Sequence, residues 1–94
     1  MEVKNNIQAF KDIVTNMSNI YEAKNHDYGD SFSESLDDEG IVAARVRLSD
    51  KWNRFKVLSK GADIKVKDES IKDTLLDMAN YCVMTLIWLN KNGN

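Results

Sequence analysis

The stretch ESIKDTLLDMANYCVMTLIWLN, Glu69 to Asn90, decides the fold of this chain. Apolar residues recur along it at three- and four-residue steps, which is the spacing of one face of an α-helix. In its second half, from Tyr81 to Leu89, apolar side chains point in nearly every direction around the helix axis. A helix of that kind must be covered on all sides. The main apolar stripe consists of Ile71, Leu75, Met78, Cys82, Leu86 and Leu89.

Two further segments have helical periodicity. The first runs from about Lys4 to Lys24, and the second runs from about Ile41 to Ser59. Lys60-Gly61 places a cation and a glycine where a helix ends. The tract IKVK, Ile64 to Lys67, lies in a predicted connector over 61–68 and alternates like a strand, but it is too short to form a sheet. We therefore expect an all-α fold, a small helical bundle of three main helices.

Length and composition agree with that fold. Ninety-four residues predict a single helical domain over 1–94, without Pro and with 43% hydrophobic residues. A chain this short has a thin core, so covering the C-terminal helix on all sides requires more apolar surface than one copy supplies. We expect oligomerisation to complete the bundle, as a two-fold homodimer or a higher symmetric homo-oligomer. Trp52, Phe55 and Trp88 are expected to be its largest core or interface side chains.

Charge and cysteine content exclude several classes. A net charge of −2 gives no reason to expect direct binding of nucleic acid or of an anionic membrane. The single cysteine, Cys82, excludes a disulfide framework and is predicted to be buried within its apolar run. We see no apolar leader and no apolar run of membrane-spanning length. The sequence therefore predicts a cytoplasmic protein.

A polar stripe on the C-terminal helix carries candidate metal ligands. Glu69, Asp73, Asp77 and Asn80 are spaced four, four and three apart, so they share one face. Carboxylates stacked in this way repel one another unless something positive lies beside them. Because Mg²⁺ prefers oxygen ligands, Glu69, Asp73 and Asp77 are the predicted ligands of a Mg²⁺ cofactor.

The middle helix carries the opposite charge. Arg47, Lys51 and Arg54 lie on one side of it and are the predicted phosphate-binding residues, since Arg and Lys both bind phosphate oxygens. Two interpretations remain open. The two charged stripes form inter-helix salt bridges on a solvated face, or they form a site where Mg²⁺ meets the phosphates of a nucleotide.

The segment KNHDYGDSFSESLDDEG, Lys24 to Gly40, separates the first two helices. It is long for a connection in a compact helical domain, and long loops are often functional. Its aromatic rings suit stacking on a base, as a lid over a nucleotide, and Ser33 to Leu36 suits one helical turn. The alternative is a solvated loop. The residues expected to contact a nucleotide are Lys24, Asp27, Tyr28, Phe32 and Asn80.

Three tracts together resemble a family of phage and bacterial proteins, the nucleotide-modification-associated domain 1 family. They are KNHDYGDSF, RLSDKWNRFKVL and DESIKDTLLDMANYCVM, and they contain the motifs K-x-x-D-Y-G, D-K-x-x-R and D-T-L-x-D-x-A-N-Y. The resemblance covers about residues 10 to 88. It implies a role connected with nucleotides in a phage or its host. If a phage encodes the chain, the expected location is the host cytoplasm.

The chain is more distantly similar to the all-α nucleoside triphosphate pyrophosphatases of the MazG and dimeric dUTPase type. Those enzymes hold Mg²⁺ with an E-x-x-E helix and a later E-x-x-D helix. Here Glu69, Asp73 and Asp77, followed by Ala79-Asn80-Tyr81, resemble the later helix. The spacing is four rather than three, and the earlier E-x-x-E is missing.

Three functions from different classes follow. The first is a Mg²⁺-dependent nucleotide pyrophosphohydrolase in which metal-activated water attacks phosphorus. The second is a non-catalytic nucleotide binder, either an accessory to base modification or a protein that sequesters a host nucleotide signal. The third is a structural or interaction oligomer whose charged stripes are salt bridges. Turnover with Mg²⁺, nucleotide binding without turnover, or neither would separate them.

Overall fold

The computed structural model describes the backbone of residues 3–25, 30–61 and 64–92, with side chains for 5–25, 30–61 and 70–92. These residues form helices and short connections, and no strand is present among them. The all-α class predicted from the sequence is confirmed. The helices in these ranges are α1 (Val3–Lys24), α2 (Asp30–Glu39), α3 (Val42–Lys60) and α4 (Ile64–Lys91).

The predicted count of three main helices is wrong, because the segment over 24–40 contains the complete helix α2. Phe32 and Leu36 lie one turn apart on it and are both buried, so α2 has an apolar face despite its acidic composition. The negative charge of Asp30 in the first turn is stabilised by the positive end of the helix dipole. Gly40 ends the helix in the left-handed region, at φ 76°, and its N–H donates to the Leu36 carbonyl at 2.8 Å.

The last helix is longer than predicted. α4 begins at Ile64 rather than near Glu69, so it includes the tract that alternates like a strand. An isolated four-residue strand has no partner with which to form hydrogen bonds. Extending an existing helix, in contrast, adds one backbone hydrogen bond for each residue fixed. The helical continuation is therefore the more stable state of this tract.

α3 and α4 form an antiparallel hairpin, the most extensively packed pair of helices in the described residues. The N–H of Gly61 donates to the Leu58 carbonyl and closes α3. Two side-chain contacts fix the register of the hairpin: Lys51 with Asp77, and Arg54 with Thr74. Three residues forward on α3 correspond to three residues back on α4, as antiparallel packing requires.

α2 packs across this hairpin and completes the core. The rings of Phe32 and Tyr81 meet edge to face with centroids 4.9 Å apart. At the other end of α2, the indole N–H of Trp88 donates to Asp37 Oδ1 at 2.9 Å. The buried apolar cluster consists of Phe32, Leu36, Ala43, Ala44, Tyr81 and Met84.

α1 packs mainly on α4, and its partly buried side chains among the described residues lie in its C-terminal half. Met17, Ile20 and Tyr21 are partly buried there. The apolar residues of its N-terminal half are exposed, and Phe10 retains 70% of its surface. This exposed apolar face consists of Ile7, Phe10, Ile13 and Val14.

The large aromatic residues and the cysteine differ in whether they pack against the buried apolar cluster. Trp88 packs against the core cluster, whereas Trp52 and Phe55 stack on each other outside it, and Trp52 is about half exposed. The predicted burial of Cys82 is wrong, since its side chain is exposed. Among the described residues, no helix combines the length and apolarity needed to cross a bilayer.

Candidate functional site

Charged and polar side chains from both helices of the hairpin meet over its middle. We call this surface the hairpin site. It is formed where the basic side of α3 approaches the polar stripe of α4, because the antiparallel register places residues 47–54 opposite residues 73–81. Its described members are Arg47, Lys51, Arg54, Asp73, Thr74 and Asp77, and Asn80 lies next to it on the side toward α1.

The central contact of the hairpin site is an ion pair. Lys51 Nζ lies 3.2 Å from Asp77 Oδ2, and both side chains are about one quarter exposed. The sequence predicts Lys51 as a phosphate ligand and Asp77 as a metal ligand. The structure brings the two together, so in this state each satisfies the charge of the other. Such a partly exposed pair contributes about 0–1 kcal/mol to stability.

Arg54 is held one turn further along α3. Its Nε–H donates to Thr74 Oγ1 at 3.3 Å, and the Thr74 hydroxyl in turn donates to the Ser70 carbonyl at 2.7 Å. Thr74 is buried, so its hydroxyl needs both of these partners. The sequence reading missed Thr74. The sequence signal for Thr74 is a threonine beside the polar stripe whose hydroxyl can donate to the carbonyl four residues earlier, that of Ser70.

Arg47 lies one turn before Lys51 on the same side of α3, and it is exposed. Three cations at spacings of four and three therefore follow the hairpin site over about 10 Å of helix. Two of them, Lys51 and Arg54, have described partners on α4. The predicted grouping of the three basic residues on one side of the helix agrees with their placement.

The donor set for Mg²⁺ is only partly described. Asp73 is exposed one turn before Asp77, while the side chain of Glu69 lies outside the described residues. No group of three His, Cys, Asp or Glu side chains suited to one metal ion occurs among the side chains the structure describes. The described donors are thus two carboxylates, one of which contacts an ammonium group. Mg²⁺ would have to displace Lys51 to use both oxygens of Asp77.

The two ends of the segment that follows α1 converge on one turn of α4. Tyr21, near the end of α1, lines a cavity with Asn80, while Phe32, near the start of α2, contacts Tyr81. Lys24 ends α1 and is exposed. The predicted contacts Asp27 and Tyr28 lie outside the described residues, as does His26. The connection between α1 and α2 therefore leaves and returns beside the hairpin site.

The structure corrects the role expected of Phe32. Its ring retains 2% of its surface and is held in the core by Tyr81, so neither face is open to a base. The sequence predicts this ring in a loop, whereas Phe32 and Leu36 are spaced one helical turn apart and share the buried face of α2. A base-stacking lid at this position is not available in the described fold.

Asn80 is buried and lies between α1 and α4. It lines a cavity of about 170 Å³ together with apolar side chains and the polar groups of Ser18 and Tyr21. A protein cavity of about 150 Å³ holds a benzene molecule, so this one has room for a single aromatic ring. An amide side chain in such a cavity can both donate and accept hydrogen bonds. The other lining residues are Val14, Met17, Val83, Met84 and Ile87.

Comparison with known proteins adds one finding. The sequence profile of the family described as "Nucleotide modification associated domain 1" matches residues 24–89, which include α2, α3 and nearly all of α4. No curated protein and no solved structure matches the chain. The likeness to the MazG and dimeric dUTPase type of pyrophosphatase is not supported by these comparisons.

Proposed function

The chain belongs to the nucleotide modification associated domain 1 family, and on that premise we propose that it binds a nucleotide by its phosphate groups at the hairpin site, without hydrolysing it. The observation that carries the proposal is the contact between Lys51 and Asp77. It occupies the carboxylate that hydrolysis would need for a metal. It also holds the ammonium group of Lys51 at the centre of the site, where a phosphate would replace Asp77 as its anionic partner.

Phosphate recognition at this site rests on the three cations of α3. A phosphate group approaching Arg47 and Lys51 would compete with Asp77 for the ammonium group, because it also forms charge-assisted hydrogen bonds and has further oxygens for Arg47. Arg54 is held by Thr74 through one nitrogen only, which leaves its other guanidinium N–H groups for an anion. Lys51 therefore supplies a compact positive charge, and Arg54 supplies a planar guanidinium group that can bind two oxygens of one phosphate.

The base of the nucleotide would lie toward α1. The cavity beside Asn80 has room for one ring, and its walls are mostly apolar, as base-binding pockets are. Lys24, Asp27 and Tyr28 come from the connection that begins and ends beside this cavity, and we propose that they complete the contacts with the nucleotide.

Self-association is part of the same proposal. The exposed apolar face of α1 and the exposed apolar residues of α4 are larger than a 94-residue monomer would leave in water. We expect a homodimer or a higher homo-oligomer in the cytoplasm, in which these faces are covered. The third function, a purely structural oligomer, shares this expectation but predicts no nucleotide binding.

Metal-dependent hydrolysis is the second candidate. The observation in its favour is that Asp73 and Asp77 stand one turn apart on α4, next to the cations Lys51 and Arg54 of α3. In that case Glu69, Asp73 and Asp77 would hold Mg²⁺ after Lys51 had turned from Asp77 to a phosphate. The two candidates differ in one respect that is easily measured, which is whether binding requires the divalent ion.

A thermal-shift screen tests the proposal. The purified protein is heated with canonical, modified and cyclic nucleotides, each with Mg²⁺ and with EDTA, and phosphate release is followed in parallel. A ligand at 100 times its dissociation constant stabilises the fold by about 2.7 kcal/mol, a shift such a screen detects. We expect stabilisation in EDTA without phosphate release. Release that requires Mg²⁺ would favour the hydrolase, and no stabilisation by any nucleotide would favour the structural oligomer.

A further inference from the structure

We infer that the outer face of α4 is the two-fold interface of the protein, and that a second copy covers it in antiparallel orientation. The face, which we call the outer stripe, consists of Leu75, Ala79, Cys82 and Leu86. Leu75 and Leu86 retain 47% and 57% of their surface, Cys82 is exposed, and Ala79 is partly exposed. The inference rests on the self-association proposed above and is independent of nucleotide binding.

The outer stripe has a spacing that reads the same in both directions. Its steps are four, three and four residues, so its members lie within about 60° of one another around the helix. A two-fold axis through the midpoint of the stripe exchanges Leu75 with Leu86 and Ala79 with Cys82. Each leucine then meets a leucine of the other copy at the ends. The two small side chains meet at the centre, where helix axes 8–10 Å apart need small residues.

The surface beside the stripe is shaped to accept this partner. A groove of about 480 Å³ lies between α1 and α4, and its lining is mostly apolar. The α4 side consists of Lys72, Leu75, Leu76 and Ala79, and the α1 side consists of Ile13, Asn16 and Met17. In the antiparallel pairing, Leu86 of the second copy lies opposite Leu75 and so enters this groove. The contact also covers Ile13, which is more than half exposed in one copy.

Electrostatics select the antiparallel orientation over the parallel one. The four residues of the outer stripe are uncharged, and Lys72 is the charged side chain that borders them in the groove. Aligned peptide dipoles give each helix a positive N-terminal and a negative C-terminal end. Antiparallel pairing places opposite ends together, whereas parallel pairing places like ends together. The isologous contact that results is also the commonest kind in soluble oligomers.

A charge-pair experiment tests the interface and its register. The masses of the parent, Leu75→Glu, Leu86→Lys and the double variant are compared by sedimentation, with helix content followed by circular dichroism. Each single substitution should raise the dissociation constant of the dimer by on the order of 100-fold, since it places unpaired charge in an apolar contact. The double variant should recover association, because the two-fold axis brings each introduced carboxylate against an introduced ammonium group. Within one copy the two positions lie about 16 Å apart along the helix, so the charges do not pair there.

Ala79→Cys supplies a second measurement that does not depend on charge. Under mild oxidation it should give a covalent dimer through Cys82 of the other copy, and the parent protein should give less. Asn53→Cys on the exposed side of α3 is the matched control and should not. A parent that sediments at 10.7 kDa would overturn the inference. So would single variants that associate as the parent does, which would place the contact elsewhere, or a double variant that stays dissociated. None of these results depends on whether the protein binds a nucleotide.

Discussion

Lys51 on α3 and Asp77 on α4 lie 3.2 Å apart, Nζ to Oδ2, at the centre of the hairpin site. The pair joins the two halves of the site that the sequence presents as separate stripes, one basic and one acidic. In this state the acidic stripe is partly neutralised by the protein itself. Under the proposed function, an anionic ligand competes with Asp77 for Lys51, whereas a metal ion would first have to displace Lys51 from Asp77.

Arg47 should be a direct contact of the phosphate groups. Arg47→Ala should weaken nucleotide binding by about 1.5–3 kcal/mol, because it removes a charge-assisted hydrogen bond. Arg45→Ala is the matched control, since Arg45 is exposed on the same helix but lies about 160° away around its axis. Titration calorimetry on both variants measures the difference. Equal affinities in the two would mean that the basic side of α3 is not the phosphate site.

Phe32 should contribute to stability and not to base recognition. Phe32→Ala should destabilise the fold by about 3–5 kcal/mol, as expected for the loss of a buried ring from a small core. Phe32→Leu keeps most of the volume and should cost about 1–2 kcal/mol while leaving nucleotide affinity unchanged. Chemical denaturation and calorimetry give the two quantities. A large loss of affinity in Phe32→Leu without loss of stability would restore the base-stacking role.

Gly40 should be required for the turn between α2 and α3. Its φ of 76° is a conformation in which a side chain is strained, although no atom lies within 4 Å of a Cβ added there. Gly40→Ala should therefore destabilise the fold by about 1 kcal/mol through the backbone alone. Gly61→Ala, at φ −70°, is the control and should have little effect on the thermal midpoint. Similar midpoints for both variants would contradict the left-handed conformation.

Strong local patterns made much of the fold predictable. α1 and α3 begin and end within about one residue of the expected positions, because apolar periodicity, Lys60 and Gly61 all indicate the same boundaries. Only one turn of α2, over Ser33 to Leu36, was predicted, since the apolar face of this helix consists of only two residues, Phe32 and Leu36, among acids and serines. Its helical state depends on burial against Tyr81, a contact that links residues far apart in sequence.

The composition of the hairpin site was also predictable, but its connectivity was not. Helical spacing predicts Arg47, Lys51 and Arg54 on one side of their helix, and two of them, Lys51 and Arg54, contact α4. Pairing between Lys51 and Asp77 depends on the register of the hairpin, which is set by packing along the whole of α3 and α4. The exposure of Cys82 likewise depends on which face of α4 the other helices cover. An apolar run alone does not carry that information.

Titration of the best-binding nucleotide of the screen into Asp77→Asn, in EDTA and again in Mg²⁺, tests phosphate binding without a metal most directly. The substitution keeps the shape of the side chain and removes its charge, which releases Lys51 for the phosphate. We predict binding in EDTA that is as tight as that of the parent protein or tighter, with Asp73→Asn as the control carboxylate. Binding that requires Mg²⁺ in the parent and disappears in Asp77→Asn, with helix content intact, would contradict it.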